Sequence, residues 1–286
     1  MSLPLSVKVP TALEHFAALV ADDSGLNLLE AAASIALDEH PTVDVQAVLG
    51  EVDVLAERLR SRLPEDAAPM QRLRLLNQFF SAELGFAGNI NNFYDSGNSY
   101  LHQVLASRRG IPISLAVIYL ELAGQVGLSA CGVGFPGHFL IKVKLRQGDV
   151  FLDPLTCHSL SRSALEEALL PYLAKQGAGA AGLEHYLVDA SPRQVLARML
   201  RNLKEIHRSQ SDLLRLLSVQ QRLVILLPGD MQELRDRAEV LESLGCWAAA
   251  AEDLQTYLRR NPAASDLELI KRRLRGLQAR GGPGLH

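Results

Sequence analysis

The chain has 286 residues, 48% of them apolar and 21% charged, with a formal net charge of -3. That length exceeds one average domain of roughly 100–200 residues, so one domain with a smaller appendix is expected, with enough apolar surface for a large core. The slight negative charge argues against a dedicated nucleic-acid binder, and no stretch approaches the roughly 20 apolar residues needed to span a membrane.

The first ninety residues read as helices. Leu13, Phe16, Ala17, Leu19 and Val20 recur at helical spacing until Asp22, Asp23, Ser24 and Gly25 break the run. A second helix fits Leu28 to Leu37, stopped by His40 and Pro41. A third fits Asp44 to Leu63, with Val45, Val48, Leu49, Val52, Leu55, Ala56 and Leu59 on one stripe. After a break from Pro64 to Pro69, a fourth covers Met70 to Glu83. A polar, aromatic loop from Asn89 to Asn98 follows, then a short helix from Tyr100 to Ser107. Ile111 and Pro112 open an apolar helix that runs to Val126; proline suits the first helical turn, where a missing N–H costs nothing.

Beyond Gly127 the period changes. Ala130 to Phe135, Phe139 to Leu145 and Val150 to Leu152 alternate as short strands, separated by Gly-bearing turns. One helix packed on a small antiparallel sheet is expected. The low-complexity run Gly177 to Gly182 is a candidate linker. From Pro192 the chain is helical again, and Pro228 and Pro262 lie 34 residues apart, the tetratricopeptide period. Ala238, Leu241, Gly245, Ala250, Leu254 and Tyr257 fall where that repeat packs small and large residues. The preceding unit is degenerate, with Lys204 where Ala238 stands in the next. The basic run Lys271 to Arg275 reads as a solvated, dipole-complementary helix end.

Chemistry concentrates between Arg109 and Asp153. Ser114 falls in the first turn of a helix, where free N–H groups and the positive dipole end stabilise negative charge. His138 opens one strand and Asp153 closes the next, so a hairpin would make them neighbours. A carboxylate that orients an imidazole facing a helix-start hydroxyl is a nucleophile–base–orienter arrangement. Tyr94, Asn98 and Arg109 are candidate substrate contacts, alongside Asp95 in the same loop. Cys131 and Cys157 are alternative positions for a displaced thiol nucleophile. The bland readings are a hydroxyl bonded to nearby backbone for Ser114, a turn histidine for His138, a turn starter for Asp153, and small hydrophobes for the cysteines. The three cysteines are too few and scattered for a disulfide framework or zinc site, and the first residues carry no signal-peptide pattern, so a reduced, cytoplasmic protein without metal or cofactor is expected.

The order of Tyr94, Asp95, Ser96, Gly97, Asn98, Ser99, Tyr100 and Leu101, then Arg109 to Leu115, then Pro136 to Leu140, resembles the bacterial SirB-type transglutaminase-like family. Leu227 to Asp230, Arg235 to Arg237 and Asp253 to Leu258 extend the likeness into the tail, so it covers about residues 30–280. The resemblance implies an α+β fold: a transglutaminase-like domain over 1–176, a flexible linker over 177–191 and a tetratricopeptide-like helical domain over 192–280. The repeat helices imply a protein or peptide partner; the bland reading of so few repeats is a buttress for the first domain. The resemblance also implies that Ser114 matches the position of the nucleophilic cysteine of active transglutaminases. The expected function is a non-catalytic or regulatory binding module. The alternative is a hydrolase or acyltransferase in which Ser114 attacks, His138 is the base and Asp153 orients it. Oligomeric state is left open.

Overall fold

The computed structural model describes residues 10–89, 92, 94–176, 182–261 and 265–280. In chain order the helices are α1 (Ala12–Leu19), α2 (Leu28–Ser34), α3 (Val45–Arg60), α4 (Pro69–Asn77), α5 (Leu101–Ser107), α6 (Pro112–Gln125), α7 (Arg162–Gln176), α8 (Leu183–Tyr186), α9 (Pro192–Ser209), α10 (Leu213–Leu226), α11 (Met231–Ser243), α12 (Trp247–Arg260) and α13 (Leu267–Arg280). The strands are β1 (Ala87–Gly88), β2 (Arg109–Gly110), β3 (Ala130–Val133), β4 (Leu140–Leu145), β5 (Gly148–Leu152), β6 (Ser159–Leu160) and β7 (Asp189–Ala190). The chain divides into two compact units. One is Leu19–Met199; the other joins the described residues up to Ala18 with those from Leu200 onward.

In the Leu19–Met199 unit, helix ends follow local chemistry. Asp44 caps α3 by accepting from the N–H groups of Gln46 and Ala47, and Arg58 and Arg60 sit at its negative end. Asn27 caps α2 in the same way. The expected stripe on α3 is buried at Val45, Val48, Val52, Leu55, Ala56 and Leu59. The expected fourth helix is α4 followed by a wider π turn at Gln78–Glu83. That turn holds Phe79 and Phe80 fully buried, with Phe80 stacked on Phe86 at 4.5 Å and edge-on to Tyr119 at 5.4 Å.

Helix α6 is the centre of this unit. Nine of its residues are buried, from Ile113 and Leu115 to Leu122 and Ala123. A helix apolar all round belongs inside a core. It packs on α2, α3, α5, β3 and β4. Each fully buried Leu or Ile there stabilises the fold by about 1.5–3 kcal/mol.

The sequence predicts three strands; the antiparallel sheet has five, in the order β6-β5-β4-β3-β7. The register of the central hairpin pairs Ile141 with Leu152 and Val143 with Val150. Val133, Phe135 and Leu140 on one face pack with Leu165 and Leu169 of α7 and with Leu183 and Leu187 around α8. This corrects the expected linker over 177–191. Gly177 to Ala181 lie outside the described residues, but 183–190 carry α8 and β7. Burial of Leu183 and Leu187 and the pairing of Gly132 with Ala190 hold them to the sheet. The division between units also falls later than the expected 191/192 boundary, between Met199 and Leu200 within α9. The first turns of α9 belong to the sheet-bearing unit, where Val195, Leu196 and Ala197 are buried.

In the other unit α10, α11, α12 and α13 pack in succession, each on the next. Ala238, Leu241, Ala250, Leu254 and Tyr257, the residues expected at repeat packing positions, are buried together with Ile270 and Leu277. Gly245 makes the α11–α12 turn with φ +76, a conformation that favours glycine. Pro262 lies outside the described residues. Lys204, the residue that departs from the repeat pattern, is buried and ion-paired with Glu233 at 2.6 Å and Asp236 at 2.5 Å.

Candidate active site

The turn bearing His138 is built by its own sequence. Pro136 and Gly137 occupy its two central positions, Gly137 has φ +70, and the His138 N–H closes it on the Phe135 carbonyl at 3.1 Å. This is the chemistry of a type II turn. A β-carbon at Gly137 would also overlap the Tyr172 hydroxyl. The turn leads into β4 two residues later.

Asp153 directly follows β5. Its Oδ1 accepts the Leu155 N–H at 2.9 Å, an Asx turn, and its carbonyl accepts from Cys157 N–H at 2.8 Å. The β4–β5 hairpin brings the two ends together, and His138 Nε2 lies 3.1 Å from Asp153 Oδ1. Burial acts to raise the Asp153 carboxyl. The hydrogen bonds from His138 and Leu155 and the charges of His138 and His158 outweigh it, leaving its pKa below the ordinary value. An ionised carboxylate only accepts, so Nε2 carries the proton of neutral His138 and Nδ1 keeps its lone pair. Among the described residues, Nδ1 has no hydrogen-bond partner, and the His138 side chain is 30% exposed.

Ser114 is placed differently. It is fully buried, and its hydroxyl lies 2.6 Å from the Asn98 carbonyl and 3.0 Å from that of Ile111. Its oxygen accepts the Ile111 N–H at 3.1 Å, which satisfies an orphan donor at the start of α6. Among the described residues, every hydrogen-bond partner of the Ser114 hydroxyl is backbone. The structure therefore joins His138 to Asp153 and joins Ser114 to the Asn98 loop. Gly110 packs against this hydroxyl: a β-carbon there would lie 2.7 Å from Ser114 Oγ and 3.0 Å from Val104 Cγ1.

The expected substrate contacts also have local duties. Asn98 is buried; its amide donates to the Asn92 carbonyl at 2.6 Å and its oxygen accepts from Asn89 at 2.9 Å. Asp95 caps the following turn through Gly97 N–H at 2.9 Å. Arg109 donates to the carbonyls of Gly85 at 2.5 Å and Arg108 at 2.9 Å. Tyr94 is 74% exposed. Burial pushes the Cys157 thiol up to about 12 and the Cys131 thiol up to about 11, so neither is a thiolate at neutral pH.

Sequence reasoning passed over the support beneath this pair. Tyr119 donates to Asn77 Oδ1 at 2.5 Å, and Asn77 donates to the Cys157 carbonyl at 3.2 Å, tying the Asp153 loop to α4 and α6. On the far side, Arg198 of α9 donates to the His138 carbonyl at 3.3 Å. These residues lie 42 to 80 positions from their partners, and no local pattern marks them.

A helix packed on an antiparallel sheet agrees with the transglutaminase-like fold that the sequence resemblance implies. The chain belongs to the transglutaminase-like superfamily, whose profile matches residues 46–201, and a tetratricopeptide-repeat profile matches 203–275. Its relatives place it in the SirB-type family. A UPF0162 protein of Xylella fastidiosa (strain Temecula1) is 34% identical over 251 residues, 87% of this chain and 89% of that protein. A UPF0162 protein of Pseudomonas aeruginosa is 33% identical over 231 residues, 81% of this chain and 83% of that one. F-box only protein 21 of Mus musculus is 40% identical over 104 residues, which is 36% of this chain and 15% of that protein. No solved structure gives a significant match.

Proposed function

We propose that this chain is a non-catalytic, regulatory member of its family that binds a protein or peptide in the cytoplasm. The observation that carries this reading is the burial of Ser114. A nucleophile needs an accessible oxygen and a base to take its proton. The Ser114 oxygen is fully buried, and its proton points to a backbone carbonyl. The tetratricopeptide region supports a protein partner, because stacked helical repeats present extended binding surfaces. Its helices line a groove of about 460 Å³ that includes Leu227, Asp230, Arg237, Asp253 and Arg260. All three cysteines are free, and no described helix is long and apolar enough to cross a membrane.

A second reading, a hydrolase or acyltransferase using Ser114, His138 and Asp153, draws on the intact His138–Asp153 pair and its open Nδ1. A fluorophosphonate probe separates the two. The binding module leaves Ser114 unlabelled in the folded protein. Labelling at Ser114 that disappears in His138→Ala establishes the enzyme instead.

A further inference from the structure

The turn carrying His138 is backed by two side chains with donors to spare, and we propose that Arg198 and Tyr172 form with it a subsite for a carboxylate of a peptide ligand. This rests on the reading of the chain as a protein- or peptide-binding module and names a chemistry that it recognises.

Arg198 comes from α9, within the sheet-bearing unit. It spends one of its five N–H donors on the His138 carbonyl. Among the described residues it makes no other hydrogen bond and has no carboxylate partner. Arg193 and Arg162 of the same unit do have carboxylates, Asp23 for the first and Glu166 and Glu184 for the second, whereas Arg72 and Arg109 each spend two N–H groups on backbone carbonyls. Asp153 already serves His138 and the Leu155 N–H. Burial lowers the Arg198 pKa, opposed by Tyr172, but a guanidinium starts so high that it stays charged. A half-buried cation without a counter-ion is costly, and an incoming anion offsets that cost.

Tyr172 supplies the second donor. Its hydroxyl packs against Gly137, the residue is 36% exposed, and the hydroxyl has no hydrogen-bond partner among the described residues. One planar guanidinium fork and one phenol match the single charge and geometry of a carboxylate. A phosphate dianion calls for more positive charge. The carboxylate has two sources in a peptide, an acidic side chain or the C-terminus.

The test uses the full chain labelled with ¹⁵N at arginine. The Nε–Hε signal of Arg198, assigned by its loss in Arg198→Lys, is followed during titration with N-acetylglycine, N-acetylglutamic acid α-amide and the fully amidated form of each. A saturable shift is expected with the acids. Binding falls about tenfold or more for the amides and in Arg198→Gln, and less in Tyr172→Phe. The better acid identifies the C-terminal or side-chain source. No saturable shift with either acid overturns the proposal. So does equal binding by Arg198→Gln with its fold intact by circular dichroism, or tighter binding of inorganic phosphate. If Arg198 only props the turn, Arg198→Gln lowers the melting temperature while the wild-type signal ignores the acids, which also overturns it. Fluorophosphonate labelling of Ser114 would overturn the non-catalytic reading and leave this titration unchanged, so the two failures are distinguishable.

Discussion

The Ser114 hydroxyl donates to the carbonyl of Asn98, sixteen residues earlier, at 2.6 Å. The same carbonyl accepts the Ile111 N–H at 3.2 Å. The helix-start serine is thus a staple between the Asn98 loop and the first turn of α6, and the close approach of Gly110 seals it. A side chain that the sequence offers both as a candidate nucleophile and as a hydroxyl bonded to nearby backbone has the second arrangement, and it fastens the segment that makes the family recognisable.

Replacing Ser114 by Ala removes that fastener. The loss of a buried hydroxyl bonded on both sides is expected to destabilise the fold by about 1–3 kcal/mol, read from urea unfolding midpoints at constant slope. Ser114→Cys probes access. In the folded state the introduced thiol resists iodoacetamide and reacts only on unfolding. Rapid native-state alkylation at position 114 would contradict the burial described.

The Asp153 pKa is held below its ordinary value of 3.8. A lowered folded-state pKa adds stability that is present above the unfolded value and disappears as pH falls through the folded one. The stability gap between wild type and Asp153→Asn should therefore stay level at neutral pH and narrow as pH drops below about 4. A ¹³C titration of the Asp153 carboxyl locates the step. A midpoint above 3.8 would refute the assignment.

Thiol reactivity should follow burial and acidity. Cys246 is exposed, Cys157 is buried with its pKa pushed up to about 12, and Cys131 lies between with its pKa pushed up to about 11. Ellman's reagent at pH 8 should titrate Cys246 first and Cys157 slowest, with all three reacting at once after denaturation. Fast reaction of Cys157 in the native state would reopen it as a nucleophile.

Lys204 sits in the tail between two carboxylates, and Arg201 also pairs with Glu233 at 3.1 Å. Lys204→Met leaves Glu233 and Asp236 short of their buried partner and should cost about 3–5 kcal/mol. Combining it with Glu233→Leu and Asp236→Leu should recover much of that loss. A single variant as stable as wild type in thermal unfolding would show that the ion pairs contribute little.

Much of the architecture was legible in the sequence because its causes are local. The apolar stripe and Asp44 cap of α3, the proline at the start of α6, and the Pro136–Gly137 turn are set by residues within a few positions of one another. Those elements can be read without any likeness to a family, and so can the repeat tail, from the 34 residues between Pro228 and Pro262; the order of motifs from Tyr94 to Leu140 carried the family. The His138–Asp153 pairing was accessible too, since a hairpin register follows from two alternating strands and the turn between them.

What only tertiary structure decided was what each polar group does. Sequence position put Ser114 at a helix start; the packing of the Asn98 loop turned its hydroxyl inward and occupied it. Short strands β6 and β7 arise from pairing with partners, not from any run of their own, and burial of Leu183 and Leu187 holds residues 183–190 of the expected linker to the sheet. Lys204 reads as a flaw in a repeat until Glu233 and Asp236 are seen around it. The physical reason is common to all: helical period and turn geometry are properties of neighbours in the chain, whereas burial, pairing and the direction of a hydroxyl depend on residues brought together across it.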